Sequence, residues 1–491
     1  MFLLTDDLSL DEISVMPNLK KLLIDQGVSF SNYFVSVSLC CPSRATTLRG
    51  QYAHNTGILT NGGSNGGFTT AYDKGIEKST IATWLHDKGY RTALIGKYLN
   101  GYPNGASKTY VPPGWDEWDS ASEGGSPYSE YNYTLNENGK LVHYGHTPKD
   151  YGTDVYTAKT VDFVTKAAKD DKPFFSYLAV YAPHGPATPA PRHAKLFPGA
   201  KAPRTASYNE ADVGDKPRWV QNRPLLKEKP QKQIDQLYRK RLQSLQAVDE
   251  SIAKLVDTLK ANHQLDNTYF FFTSDNGFHL GQHRLPAGKQ TAYEEDIHLP
   301  LVVRGPGLPA RRTPTEIVGN VDLAPTFADL AGASTPSFVD GRSFAPLLKG
   351  DVSRWRHAYL LEHDTSSKKG KAAKVGPNTL EPNDPDQGTT TSPGAAPPAS
   401  RRGRANGKGK GKRKGKASIT PFRGVRTARY TYVQYTTGEK ELYDLRSDPD
   451  ELSNIVEKAD PKLVDRMSRL VKGLQTCKAD YCRKLESKAT D

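Results

Sequence analysis

Asp6, Asp7, Asp275 and Asn276 are four oxygen-bearing side chains that follow two apolar runs, "FLLT" and "YFFFTS", in a chain of 491 residues. Unbroken apolar runs of that length read as buried strands, and ligands in open α/β sheets gather at the carboxyl ends of strands. Four such oxygens suit a hard divalent cation, Ca2+ with Mg2+ as the alternative, better than zinc, which prefers nitrogen and sulfur. A third run, "ALIG", delivers Lys97 in the same way. The stretch "SLCCPSRATTLRG" sets Cys40 beside Cys41, ahead of Pro42, Ser43 and Arg44. Pro42 suits the first turn of a helix, so Cys40 is expected at a helix N-terminus, where backbone N–H groups and the dipole favour an anion. Arg44 adds a fixed positive charge. Two chemistries fit this environment: a low-pKa thiolate nucleophile, or a cysteine converted into another group.

The elements that must position these residues read as alternating short apolar runs and amphipathic stretches, the pattern of a mostly parallel sheet flanked by helices. Strands are expected in "FLLT", "YRTALIGK", "PFFSYLAVYAP", "TYFFFTSDNG" and "HLPLVVRGPG". Helices are expected in "MPNLKKLLIDQG", "TIATWLHDKG", from Gln231 to Asn262, in "VDLAPTFADLAG", and after Thr153 as N-cap. The texture changes near Gly350. Residues 351–491 read as a small α+β unit of antiparallel strands and one amphipathic helix, and 1–350 as the main α/β domain. Between the strands of the smaller unit lies segment 366–418, rich in Gly, Pro, Lys and Arg with almost no large apolar residues, which is expected to be disordered.

The net charge of +13 belongs mostly to that segment, which holds thirteen Lys and Arg against three Asp and Glu. The fold itself is close to neutral, so the charge describes a solvated basic insert and makes nucleic acid an unlikely partner. No run of about 18 apolar residues occurs, which leaves no membrane-spanning helix. "MFLLTDDLSLDE" carries no signal-peptide pattern and reads as the end of a buried strand, so the first strand is expected to be truncated. Asn132 in "NYT" is a glycosylation acceptor pattern. Cys477 and Cys482 are either a short-loop disulfide or two buried thiols.

Cys40-x-Pro42-Ser43-Arg44 with "LRG" and "HNTG" resembles the signature of the formylglycine-dependent, type I sulfatases. "TDD", "GKYLNGY", "APHGP", "SDNGFHLGQHRLPAGKQTAYEEDIHLPLVVRGPG" and "GEKELYDLRSDPDE" follow in that family's order. The forms "CCPSR" and "DNGFH" are most similar to fungal arylsulfatases and N-acetylglucosamine-6-sulfatases. The resemblance implies an alkaline-phosphatase-like fold and a sulfuric ester hydrolase acting on an aryl sulfate or a sulfated sugar. It also implies oxidation of Cys40 to formylglycine by a formylglycine-generating enzyme before folding is complete. One hydroxyl of the hydrated aldehyde, polarised by a cation on Asp6, Asp7, Cys40, Asp275 and Asn276, would attack sulfur, and the second would expel sulfate. Arg44 would orient the diol, Lys97 and Lys289 would bind sulfate oxygens, and His184 would protonate the leaving oxygen. His279 would face the same site.

One departure concerns the base for sulfate release. Lysosomal-type arylsulfatases carry a histidine two residues beyond the counterpart of Lys97, where this chain has Leu99 followed by Asn100. The N-acetylglucosamine-6-sulfatase branch shares "GKYLN", which leaves Asn100 or His279 for that step. A phosphomonoester or phosphonate hydrolase of the same superfamily is the alternative reading. A nucleic-acid-binding role of the basic insert is a third. Family resemblance, and a Cys477–Cys482 disulfide if formed, imply a secreted or endomembrane, lysosome-like compartment.

Overall fold

The computed structural model describes residues 1–170, 172–350, 352, 354–365 and 419–488; the segment expected to be disordered lies outside the described residues. Its main sheet has nine strands: β1 (Phe2–Asp6), β2 (Val28–Phe30), β3 (Arg91–Gly96), β4 (Glu117–Ser126), β5 (Tyr131–Glu137), β6 (Lys140–Tyr144), β7 (Phe174–Pro183), β8 (Phe270–Ser274) and β9 (Leu301–Arg304). They lie in the order β2-β9-β8-β1-β7-β3-β4-β5-β6. The five central strands, β8-β1-β7-β3-β4, run parallel, with antiparallel strands added on both flanks. The sheet is therefore mixed, and its parallel centre carries the strand ends singled out above.

Every residue of β1 is buried, which is why its sequence shows no polar alternation. Successive side chains nonetheless serve opposite faces. Phe2 and Leu4 join Leu94, Tyr177, Ala179 and Phe271 in a core closed by helices α1 (Cys40–Arg49), α2 (Ile81–Asp87) and α5 (Leu323–Leu330). Leu3 joins Ile95, Leu178, Val180, Phe270 and Phe272 in a second core, closed by α3 (Gly152–Ala167) and α4 (Glu228–Ala261). Helix α1 ends at Gly50, whose φ of 66° is the left-handed value that closes a helix without a Cβ clash. Helix α3 corrects one expectation. It begins at Gly152, so Thr153 lies inside the first turn and is not the N-cap; the Glu130 carboxylate accepts from Thr153 N at 2.6 Å. A buried acid from a neighbouring strand end does the capping that the local sequence suggested for a threonine.

A four-stranded antiparallel sheet, Ala358–His363, Phe422–Thr427, Tyr430–Tyr435 and Lys440–Asp444, follows, backed by α6 (Pro461–Leu474). Its core of Leu360, Val425, Leu442, Met467 and Leu474 is continuous with Phe34, Tyr52, Trp219 and Tyr293 of the preceding part of the chain. Cys477 and Cys482 form a disulfide just after α6, while Cys40 and Cys41 are free and buried. Among the described residues no helix is long and apolar enough to cross a membrane.

Leu178 is fully buried on a central strand. Leu178→Ala is expected to lower unfolding free energy by about 2–5 kcal/mol, read from the shift of a urea unfolding midpoint. An unchanged midpoint would contradict the placement of β7 in the core.

Candidate active site

The carboxyl ends of β1, β3, β7 and β8 converge with the N-terminus of α1. β1 ends at Asp6, and Asp7 then turns out of the strand with φ 65°, a left-handed conformation uncommon for a residue with a Cβ. Buried bonds hold it there. Arg241 of α4 donates to the Asp7 carbonyl and pairs with Glu12 at 2.6 Å, both side chains fully excluded from solvent. Leu8 N donates to Ser274 Oγ at 2.9 Å and Asp7 N to Asp275 Oδ1 at 3.2 Å.

Residues 40, 43 and 44 of α1 share one helix face at i, i+3 and i+4 spacing, and that face meets the strand ends. Ser43 Oγ donates to the Asp275 carbonyl, and Arg44 Nε donates to Asp275 Oδ2 at 2.7 Å. Arg44 Nη1 donates to the Lys97 carbonyl at 3.0 Å, tying the helix to the end of β3. Cys40 presents its Sγ 3.5 Å from Asp6 Oδ1 and 2.8 Å from Lys289 Nζ. Cys41, turned about 100° round the helix, joins the apolar core instead. The two adjacent cysteines thus occupy unlike environments.

Three cations match three buried carboxylates. Lys97 Nζ lies 2.5 Å from Asp6 Oδ2 and 4.8 Å over the Tyr128 ring. Lys289 pairs with Asp7, and Arg44 with Asp275. Burial opposes ionisation of Asp6, yet Lys97 and His184 outweigh it and hold the carboxyl below the usual range. Burial likewise opposes ionisation of Asp7, and Lys289 and His184 outweigh it. Burial first, then the Asp6 carboxylate, pushes the Cys40 thiol well up. Burial and Asp6 oppose a thiolate at this position, while Lys289 and Lys97 favour one.

His184, just beyond β7, brings Nε2 to 3.5 Å from Asp7 Oδ2, while Nδ1 donates to the Gly185 carbonyl at 2.7 Å. Ligand atoms of Asp6, Asp7, Cys40 and His184 all lie within 4.8 Å of one another. Asp7 Oδ2 and Asn276 Oδ1 are buried and accept no hydrogen bond from any described residue, although Asn276 Nδ2 donates to Asp7 Oδ1 at 2.6 Å. Lone pairs aimed into an oxygen-rich cluster fit a hard cation. Asp275 stands beside this group, engaged by Arg44 and by Asp7 N. His279 is held differently: its Nδ1 is 2.9 Å from Asp296, and its backbone pairs with Gly288, next to Lys289. Leu99 is buried among apolar residues, and Asn100 donates to Tyr128 OH at 3.1 Å.

The sequence reading missed Glu12, Arg241 and Asp296, which position others without facing the cluster. It also missed Ser43 and its partner Asn320, whose Nδ2 donates to Ser43 Oγ at 3.0 Å. Only Ser43 carried a local signal, its i+3 spacing from Cys40.

Residues 5–333 match the sulfatase family model. The chain is 39% identical over 367 residues to an extracellular sulfatase homolog of Caenorhabditis elegans, covering 74% of this chain and half the length of that protein. It is 35% identical over 478 residues to the N-acetylglucosamine-6-sulfatase of Bos taurus, covering 94% of this chain and 80% of that one. Among solved structures, one in complex with its substrate D-glucosamine-2-N,6-O-disulfate has TM-score 0.75 at 24% identity, covering 100% and 99% of the two chains. A phosphonate monoester hydrolase of Silicibacter pomeroyi has TM-score 0.66 at 22% identity, covering 96% and 93%. These two likenesses show the shared alkaline-phosphatase-like fold. With two thirds of its length matched by the family model and its motifs assembled at one set of strand ends, the chain belongs to the sulfatase family, whose members hydrolyse sulfuric esters.

Proposed function

We propose that this chain removes sulfate from a sulfated amino sugar, the substrate class named by its N-acetylglucosamine-6-sulfatase relative. The observation that carries the reading is the convergence of Asp6, Asp7 and His184 on residue 40, with unshared lone pairs on Asp7 and Asn276. Asp6, Asp7, Asn276 and, after a small shift from Arg44, Asp275 would hold Ca2+, with Mg2+ the other hard cation suited to them. Such a cation, when bound, polarises the nucleophile at position 40 and a sulfate oxygen. Formylglycine at position 40, if Cys40 is so converted, would supply a hydrated aldehyde as the nucleophile.

The chain's own residues then divide the work. Lys289, 2.8 Å from that position, and Lys97, stacked over Tyr128, bind sulfate oxygens whose charge grows in the transition state. Arg44 fixes Asp275 and, through the Lys97 carbonyl, the approach of β3 to α1. His184 donates from Nε2 to the leaving alcohol, its ring oriented by Gly185 O and by the Tyr128 ring at 4.5 Å. With Leu99 in place of a histidine, His279 is assigned the base role in sulfate release, its ring fixed by Asp296 as a carboxylate fixes a catalytic histidine. The disulfide, the exposed Asn132 sequon and relatives named extracellular support an oxidising, secretory destination.

Mass spectrometry of the peptide containing Cys40, from active protein made in its native host, is expected to show the aldehyde at Cys40 and a thiol at Cys41. Full activity from a peptide carrying only unmodified Cys40 would sink the mechanism. Kinetics supply a separate check. Lys97→Ala is expected to lower kcat for 6-sulfated N-acetylglucosamine by ~10²–10³-fold, the usual effect of removing one charge-stabilising donor. Phosphonate and phosphate monoesters assayed in parallel are expected to turn over more slowly; the reverse order would favour the phosphonate hydrolase reading.

A further inference from the structure

We propose that His283, Glu295 and Glu451 form a second metal site, a structural one for Zn2+, that fastens the C-terminal sheet to the segment carrying Lys289. The three ligand atoms lie within 4.8 Å of one another. They come from distant parts of the chain: His283 from the loop after β8, Glu295 from the short helix Glu294–Ile297, and Glu451 from the turn after strand Lys440–Asp444. His283 is fully buried, and its Nδ1 lies 2.7 Å from Glu210 Oε2. A carboxylate on Nδ1 puts the proton there and leaves Nε2 as a lone-pair donor, the arrangement that metal-binding histidines use. That Nε2 makes no hydrogen bond, and neither do Glu295 Oε2 and Glu451 Oε1, all three buried. Orphaned acceptors inside a protein are costly, and these three gather in one space, with the Thr431 hydroxyl beside Glu451.

Nearby cations are engaged elsewhere. Lys216 pairs with Asp215 at 3.0 Å and Glu210 at 3.4 Å, and Arg426 with Glu294 at 2.7 Å. Arg284 donates to the carbonyls of Glu210 and Ala211. The other oxygen of Glu451 accepts from Glu294 N at 2.9 Å, which aims its carboxylate at the pair. One imidazole and two carboxylates match the nitrogen and oxygen preferences of Zn2+, with water completing the tetrahedron. The hard-cation cluster at Asp6 and Asp7 is a separate site of different donor type.

The test uses the full chain with Ca2+ saturating the Asp6 cluster. Metal analysis after Zn2+ loading and desalting is expected to find one zinc per chain in the parent protein and none in His283→Gln or Glu451→Gln, with calcium content unchanged. Zn2+ at 100 times its Kd is expected to raise the parent melting temperature by ~2–3 °C and leave the variants unmoved. X-ray absorption at the zinc edge of the parent protein does not depend on the variants folding. A single imidazole with oxygen ligands supports the site. A thiolate ligand, uptake equal in parent and variants, or no zinc retained by the parent overturns it.

Discussion

Three carboxylates, Asp6, Asp7 and Asp275, stand together out of solvent at the ends of two adjacent parallel strands, and much of the surrounding architecture answers the charge they carry. Burial alone would push Asp6 and Asp7 toward their neutral forms; Lys97 for the one, Lys289 for the other and His184 for both hold them below the usual carboxylate range, while Arg44 pairs with Asp275. The cations arrive from three different elements, the end of β3, the loop after β8 and helix α1, so charge compensation also fixes how those elements meet. A buried pair of this kind adds little net stability, but losing one partner strands a charge in the interior. The cluster therefore behaves as a unit, and its geometry is set by balance as much as by packing.

A second layer of buried ion pairing supports the first. Asp7 occupies a left-handed backbone conformation, and the Arg241–Glu12 pair grips its carbonyl from the side opposite α1. The strain of that turn is borne by α4, a helix of 34 residues, about 50 Å long, whose apolar face is sunk in the sheet's second core. A rigid helix rather than a loop thus locates Asp7.

How much of this could be read in the sequence depended on range. β1 and β8 were legible because an apolar run followed by Asp is a local pattern, and α1 because Pro42 and Arg44 lie on its own first turns. The antiparallel flanks β5 and β6 escaped the reading, since their half-exposed residues give weak periodicity in a polar stretch. Thr153 was misread as a cap because Glu130, which does that work, lies on another element. Arg241 and Glu12 are 229 residues apart, and nothing in either neighbourhood announces the other. For the same reason the site residues brought by motif order, Lys289 and His184, have no local sign of their task. Burial also acts against one local sign: a helix N-terminus ordinarily favours an anion, yet burial and Asp6 push the Cys40 thiol up.

The distance in sequence between Asp7 and Asn276, 269 positions, sets a clock on synthesis. β1 and α1 leave the ribosome early, but Asp275, which receives both Ser43 and Arg44, does not exist until β8 has been made. At about 5–20 residues per second, the ribosome needs about 10–50 s to travel from Cys40 to Asn276. Within that interval α1 can meet the ends of β1 and β3, but Ser43 and Arg44 lack the Asp275 partners that fix its first turns. In the folded chain, with β8 beside β1, Cys40 is fully buried. The order of strands in the sheet, with the first paired to one made hundreds of residues later, means that the surroundings of position 40 are completed only late in synthesis.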